Sequence, residues 1–147
     1  MKFIRTMFTV MAAVATLLAF QPQVADAVDT SALGKRIVVD ISQQKVYAYS
    51  GTQLVWSTWA NISGIRRGTF RIQDKIPIAR SFALGWRLPN WMGIYYAGGL
   101  ENGFHGPAYT ARGKRNMTSL GCVVMPENAA ATLYRWASLG TRVVVQW

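Results

Sequence analysis

Apolar and polar residues alternate along the chain from Arg36 onward. The runs Arg36-Ile37-Val38-Val39-Asp40-Ile41 and Lys45-Val46-Tyr47-Ala48-Tyr49 flank Ser42-Gln43-Gln44. Val, Ile and Tyr suit a pleated, half-buried surface, so this stretch predicts a β-hairpin. Ser50-Gly51-Thr52 marks a second turn. Gln53 to Ile62 then continues as a strand rich in Trp, Val and Thr, ended by Gly64, and the domain opens as a β-meander. Gly68 to Ile72 predicts a further strand. From Asp74 to Leu88 the pattern is mixed and includes Pro77 and Gly85, which predicts irregular structure. Trp91 to Tyr96 is apolar and aromatic, and Gly98, Gly99 and Gly103 predict a loop-rich approach to His105.

Between His105 and Ser119 there is little apolar periodicity. Gly106, Pro107 and Gly113, with Arg112, Lys114, Arg115 and Asn116, predict a surface loop. A short apolar run, Val123 to Met125, leads to Pro126-Glu127, a proline and an acid suited to a helix start. Leu133, Trp136 and Ala137 recur at spacings of three and four, which puts one face of this helix on the sheet. Gly140 closes it. The three valines within Arg142 to Trp147 predict a strand buried on both faces. The fold class is mainly β, with one packed α-helix near the C-terminus.

The N-terminus breaks this pattern. Lys2 and Arg5 precede an uncharged apolar run from Met7 to Phe20, too short to span a bilayer comfortably, and Ala25-Asp26-Ala27 follows. This predicts a secretory signal peptide over residues 1–27, with a single domain over 28–147 beginning at Val28. An uncleaved anchor is the alternative. No cysteine follows the apolar run to accept a lipid, so no stable membrane insertion is expected after cleavage, and the domain is expected to be a monomer.

The chain carries a formal charge of +10. An exported basic domain meets anionic envelope polymers and lipid headgroups, whereas export argues against a nucleic-acid partner. Basic residues that serve only solubility fit equally well.

Cys122 is the only cysteine, in a compartment where cysteines ordinarily pair. An inert buried thiol and a reactive one both fit that count. His105 is the only histidine and lies 17 residues earlier. A nucleophilic cysteine needs a base or cation beside it, and imidazole supplies both. A purely structural histidine is the competing reading. A backbone carbonyl near His105, such as that of Gly106, has the chemistry to fix the ring tautomer, the part a buried carboxylate plays in serine triads. In Ser119-Leu120-Gly121-Cys122, the glycine before the thiol permits a tight turn whose N–H groups suit an oxyanion hole. One histidine and one cysteine are too few for a zinc site, so no metal and no cofactor is expected.

His105-Gly106, Ser119, Gly121 and Cys122 resemble the signature of bacterial L,D-transpeptidases of the YkuD type, in which a histidine-glycine pair precedes Ser/Thr-His-Gly-Cys. Gly68-Thr69-Phe70 is similar to the family's Gly-Thr-Phe/Tyr strand, and the helix and last strand follow in family order. The resemblance covers most of the mature chain and implies an L,D-transpeptidase-like mixed β-sandwich. It implies that Cys122 attacks the third residue of a peptidoglycan tetrapeptide stem and expels the terminal D-alanine. His105 acts as general base and acid, and an amine of another stem captures the acyl-enzyme in a 3-to-3 cross-link in the periplasm or cell wall.

Ser119, Gly121, Tyr96 and Arg115 are the candidate substrate-binding residues. Tyr96, with Tyr95, Trp91 and Trp86, is placed to line an acyl groove, core packing being the alternative. Arg115, with Arg112 and Lys114, offers charge for a stem carboxylate, a solvated loop being the alternative. Two positions depart from the family. Leu120 replaces its histidine, and Val124 replaces the arginine or asparagine that commonly follows the nucleophile. These departures motivate a second reading, a non-catalytic envelope-binding module on the same fold. A sortase-like protein transpeptidase using Arg142 is a third.

Overall fold

The computed structural model describes residues 34–82, 84–113 and 115–147, so the signal peptide over 1–27 and the start at Val28 lie outside the described residues. Strands β1 (Lys35–Asp40) and β2 (Lys45–Ser50) form the expected hairpin. The turn is held by the Asp40 carboxylate, which accepts from Ser42 Oγ at 2.7 Å, Gln43 N at 2.9 Å and Gln43 Nε2 at 3.0 Å. Those donors, Ser42 foremost, keep the Asp40 carboxyl below its ordinary range. Strand β3 (Gln53–Trp59) pairs with β2. The strand expected over Gln53 to Ile62 breaks at buried Ala60, and β4 (Asn61–Ile62) crosses into a second sheet.

Strand β5 (Gly68–Arg71) lies at the edge of the first sheet, whose order is β3-β2-β1-β12-β5. Its last-formed member in sequence, β12 (Arg142–Gln146), runs parallel to β1. Only Val143 and Val145 of β12 are buried, while Val144 is half-buried and Arg142 and Gln146 are exposed. Burial on both faces is therefore corrected to ordinary alternation, with one face of the sheet on the core.

Two other expectations give way. The segment expected to be irregular contains β6 (Asp74–Arg80), antiparallel to β7 (Arg87–Ala97). Strand β6 pairs with β7 alone, so Pro77 occupies an edge strand, where a missing N–H is tolerated. Gly85, at φ +64, belongs to the turn between them. The stretch before His105 is likewise a strand, β8 (Leu100–His105), joined to β7 by the Gly98-Gly99 turn. Gly103 sits inside it because a Cβ there would lie 2.1 Å from the Met92 carbonyl oxygen. The loop from 106 to 119 carries a small ladder, β9 (Ala108–Tyr109) with β10 (Arg115–Asn116). Strand β11 (Val123–Val124) then inserts between β8 and β4, completing a seven-stranded sheet.

Helix α1 (Glu127–Trp136) starts after Pro126 and packs Ala130 and Leu133 into the core. It ends before Ala137 rather than at Gly140. Lys75 Nζ donates to the Tyr134 and Ala137 carbonyls at 2.6 and 2.5 Å, and Lys35 Nζ donates to that of Trp136 at 2.9 Å. These ammonium groups satisfy carbonyls that a helix end leaves without intrahelical partners. Between the sheets and the helix lie Ile37, Ile72, Met92, Ile94, Phe104, Met125 and Leu133, all essentially inaccessible.

Candidate active site

Strand pairing brings the histidine and the cysteine together. Parallel β8 and β11 match Phe104 with Val123 and His105 with Val124. Cys122, one residue before β11, thereby lies beside Gly103, whose backbone hydrogen-bonds the thiol. His105 and Cys122 line one cleft of about 280 Å³, with Trp91, Tyr96, Glu101, Asn102 and Leu120 among its other walls.

His105 is 5% exposed and stacks on Trp91, with ring centroids 6.0 Å apart. Its Nδ1 lies 2.6 Å from the Gly106 carbonyl oxygen. A carbonyl only accepts, so Nδ1 carries the proton of the neutral ring and Nε2 keeps its lone pair. The backbone around the ring is fixed: Gly106 N donates to the Pro89 carbonyl and Met125 N to that of His105, both at 2.9 Å. A Cβ at Gly106 would press on Pro89 Cγ at 3.2 Å.

Burial pushes the imidazole below its ordinary value of 6.5, only partly offset by Gly106. Burial also pushes the half-buried Cys122 thiol above its ordinary 9.0; the Gly103 contact opposes this and the Glu101 carboxyl adds to it. The resting pair is therefore a neutral thiol and a neutral imidazole.

The YkuD family profile, described as the L,D-transpeptidase catalytic domain, matches residues 34–145. The chain belongs to this family. Solved structures agree in fold. An L,D-transpeptidase from Mycobacterium smegmatis superposes with a TM-score of 0.63 at 20% identity, covering 78% of this chain and 59% of that one. One from Stackebrandtia nassauensis gives 0.61 at 21% identity, covering 78% and 56%. An L,D-transpeptidase solved in complex with imipenem gives 0.61 at 16% identity, covering 77% and 59%. This chain thus spans less than two thirds of the length of each of these proteins. No curated protein sequence matches the chain.

Within this L,D-transpeptidase domain the other candidate residues separate. Tyr96 is exposed on the cleft wall. Ser119 is buried and does not line the cleft. Its Oγ accepts from Ser63 N at 2.9 Å and lies 2.9 Å from the Ser63 carbonyl and 2.6 Å from that of Cys122, donating to one of the two at a time. Gly121, at φ +116, donates its N–H to the Ser63 carbonyl at 2.9 Å, so this group is not available to an oxyanion. A Cβ at Gly121 would lie 2.4 Å from Asn102 Oδ1. Both residues shape the turn before Cys122 from behind.

Arg115 is outside the cleft. It forms an ion pair with Glu127 and covers the Tyr109 ring at 5.1 Å. Of the two departures from the family signature, Leu120 stands 73% exposed on the cleft rim, whereas Val124 is fully buried and touches no substrate space. Sequence reading missed Glu101. The available signal was Gly93 in mid-strand, since a glycine inside a strand marks a close approach by another group.

Proposed function

We propose that the domain is an exported cysteine acyltransferase acting on peptidoglycan stem peptides, an L,D-transpeptidase of cell-wall biogenesis. The observation that carries this reading is the placement of Cys122 in one cleft with a histidine whose Nδ1 is held by a backbone carbonyl, in a chain of this family. Nε2 of His105 takes the thiol proton as Sγ attacks the donor carbonyl. The C–N bond breaks, His105 returns the proton to the leaving amine, and a thioester remains. An acceptor amine then attacks the thioester, His105 removes its extra proton, and the thiol is restored.

The test is mass spectrometry of the full chain after incubation with imipenem or a tetrapeptide stem. An acyl adduct on Cys122, absent from Cys122→Ala, is expected; a wild type without adduct overturns the reading. A second reading, a non-catalytic envelope-binding module, is favoured by one observation: buried Val124 and apolar Leu120 remove two polar contacts the signature ordinarily supplies. It predicts retention on purified cell wall with unchanged muropeptides, and new 3-to-3 dimers exclude it.

A further inference from the structure

The turn between β6 and β7 presents apolar side chains to water. Among the described residues, Phe82 is the large apolar side chain most open to solvent, at 99% exposure, and Leu84 is 46% exposed. The backbone closes this turn: Ser81 N donates to the Trp86 carbonyl and Gly85 N to that of Ser81, both at 2.8 Å. Ser81, Phe82, Leu84 and Trp86 form one lip of the cleft that holds Cys122. With Phe82 almost wholly in water, the tip does not seal that cleft.

At the base of the tip, Arg80 and Arg87 stand directly opposite one another in the β6–β7 register, and both are exposed. Like charges so placed repel. Among the described residues neither guanidinium has a carboxylate or hydrogen-bond partner, and neither lines the cleft. A lone exposed apolar residue is ordinary on a protein surface. Two on one turn, between two unpaired cations, form a surface whose complement is apolar inside and anionic outside.

We propose that the β6–β7 tip docks on an anionic phospholipid surface, with Phe82 and Leu84 at the boundary between headgroups and acyl chains and Arg80 and Arg87 on lipid phosphates. Interfacial binding of this kind grows with buried apolar area and with attraction to anionic lipid. Half-buried Trp86, behind the tip, carries an amphipathic ring suited to the headgroup level. The contact is peripheral, since none of the described helices is long and apolar enough to cross a membrane. A second copy of the chain fits less well, because a two-fold contact at the tip sets one arginine pair against another. A soluble polyanion pairs with the arginines but leaves Phe82 and Leu84 in water. Docking sets the cleft mouth against the membrane. The inference is independent of the acyl-transfer reading, and it is measured with Cys122 replaced.

The full chain with Cys122→Ala receives one new cysteine, either Ser81→Cys at the tip or Ser57→Cys on exposed β3 of the other sheet. Each is labelled with nitrobenzoxadiazole, whose emission brightens and moves to shorter wavelength on leaving water. The apolar run from Met7 to Phe20 is common to every variant, so the position of the probe carries the result. With vesicles of phosphatidylglycerol and phosphatidylcholine, the probe at 81 is expected to shift and to be quenched by lipids brominated in the acyl chain. The probe at 57 should do neither. Adding Phe82→Ser and Leu84→Ser leaves the charge unchanged and should raise the lipid concentration for half the shift about tenfold or more. Adding Arg80→Gln and Arg87→Gln should raise it about fivefold per charge removed. Arg135→Gln with Arg142→Gln, exposed elsewhere on the chain, should raise it less. An unchanged thermal midpoint shows that each variant is folded.

No shift at 81, or equal shifts at 81 and 57, overturns the proposal. So does an equal loss from the Arg135 and Arg142 pair, which makes the attraction a property of the overall +10 charge. Equal midpoints on anionic vesicles and on phosphatidylcholine alone also overturn it. A probe at 81 that ignores vesicles, while Arg80 and Arg87 hold the chain on purified cell wall, assigns the tip to an anionic wall polymer instead. A wild type without an imipenem adduct removes the acyl-transfer reading and leaves the membrane result standing.

Discussion

The segment from His105 to Glu127 builds two surfaces of opposite character. On one, His105, Leu120 and Cys122 face a cleft with an acid and no cation among its described lining residues. On the other, Arg115 covers Tyr109 and pairs with Glu127, which also accepts the Tyr109 hydroxyl at 2.6 Å. Both surfaces hold titratable groups, but water separates their behaviour. In the cleft, burial drives imidazole and thiol toward their neutral forms. Outside, Tyr109 and then Arg115 hold the Glu127 carboxyl below its ordinary value and keep it charged. Among the described residues no basic side chain lines the cleft that holds Cys122 and His105, the drier of the two surfaces.

The largest effect that tests this contrast belongs to His105. Replacing it with Gln keeps a polar group of similar reach and removes the base. Acylation of Cys122 by a carbapenem is expected to fall by about 10²- to 10⁴-fold. The pH profile carries the sign. Because burial lowers His105, wild-type acylation should hold level as pH drops through 6.5 and decline only below it. Because burial raises Cys122, no separate thiolate plateau is expected between pH 7 and its ordinary value of 9.0. A rate that halves near 6.5 means the ring is solvated and the cleft no drier than the outer surface.

Ser119 comes next, since it holds the turn before Cys122 to the loop at Ser63. Ser119→Ala leaves the Ser63 N–H and the Cys122 carbonyl without the Ser119 hydroxyl, while the Ser63 carbonyl keeps its bond from Gly121 N. A loss of about 1–3 kcal/mol in urea unfolding is expected, together with slower acylation that excess reagent does not restore. Unchanged stability with lost acylation would instead make Ser119 a substrate contact.

The same division between dry and wet surroundings decides how much was legible beforehand. Alternation identified β1 and β2 because Ile37, Val39, Val46 and Ala48 fall on one buried face, with Tyr47 and Tyr49 half-buried on the other. The helix was legible from its proline start and the spacing of Leu133, Trp136 and Ala137. Strands β6 and β8 were not, because Pro77, Gly98, Gly99 and Gly103 read as breakers when each answers a tertiary demand: an unpaired edge, a tight turn, or a carbonyl crossing where a Cβ would stand. That Cys122 and His105 share one cleft agrees with the reading drawn from their uniqueness and order. Glu101 was not, since its importance comes from Asp74, which lies 27 residues earlier and reaches it only across β7. Arg115 looked like a ligand because its partner Glu127 lies on the helix, beyond the reach of local pattern.

Glu101 also gives the comparison a stability signature. Its proton is bound more tightly in the folded chain than in the unfolded one, since burial and Asp74 raise it from 4.5 to about 7. The stability it contributes is therefore full below 4.5 and is lost as pH rises through about 7. Glu101→Gln should gain on the wild type across that window. A sealed site would give about 3 kcal/mol; discounted for solvent screening, on the order of 1 kcal/mol is expected between pH 4.5 and pH 8. Urea unfolding at the two pH values measures it, and equal differences at both show that Glu101 titrates as an exposed acid.

The smallest effect is expected on the outer surface. Arg115 and Glu127 are 55% and 43% exposed, so water and salt screen their attraction and two long side chains lose freedom in holding it. Arg115→Ala should move the thermal midpoint by less than about 2 °C. Carbapenem acylation should be unchanged, because Arg115 does not line the cleft. A donor with a free carboxylate sharpens the test. If Arg115 were recruited on binding, Arg115→Ala would raise the KM for that donor and leave an amidated donor alone. If Arg115 stays with Glu127, both donors keep their wild-type KM, and the charge borne by Arg115 serves its own ion pair with the helix.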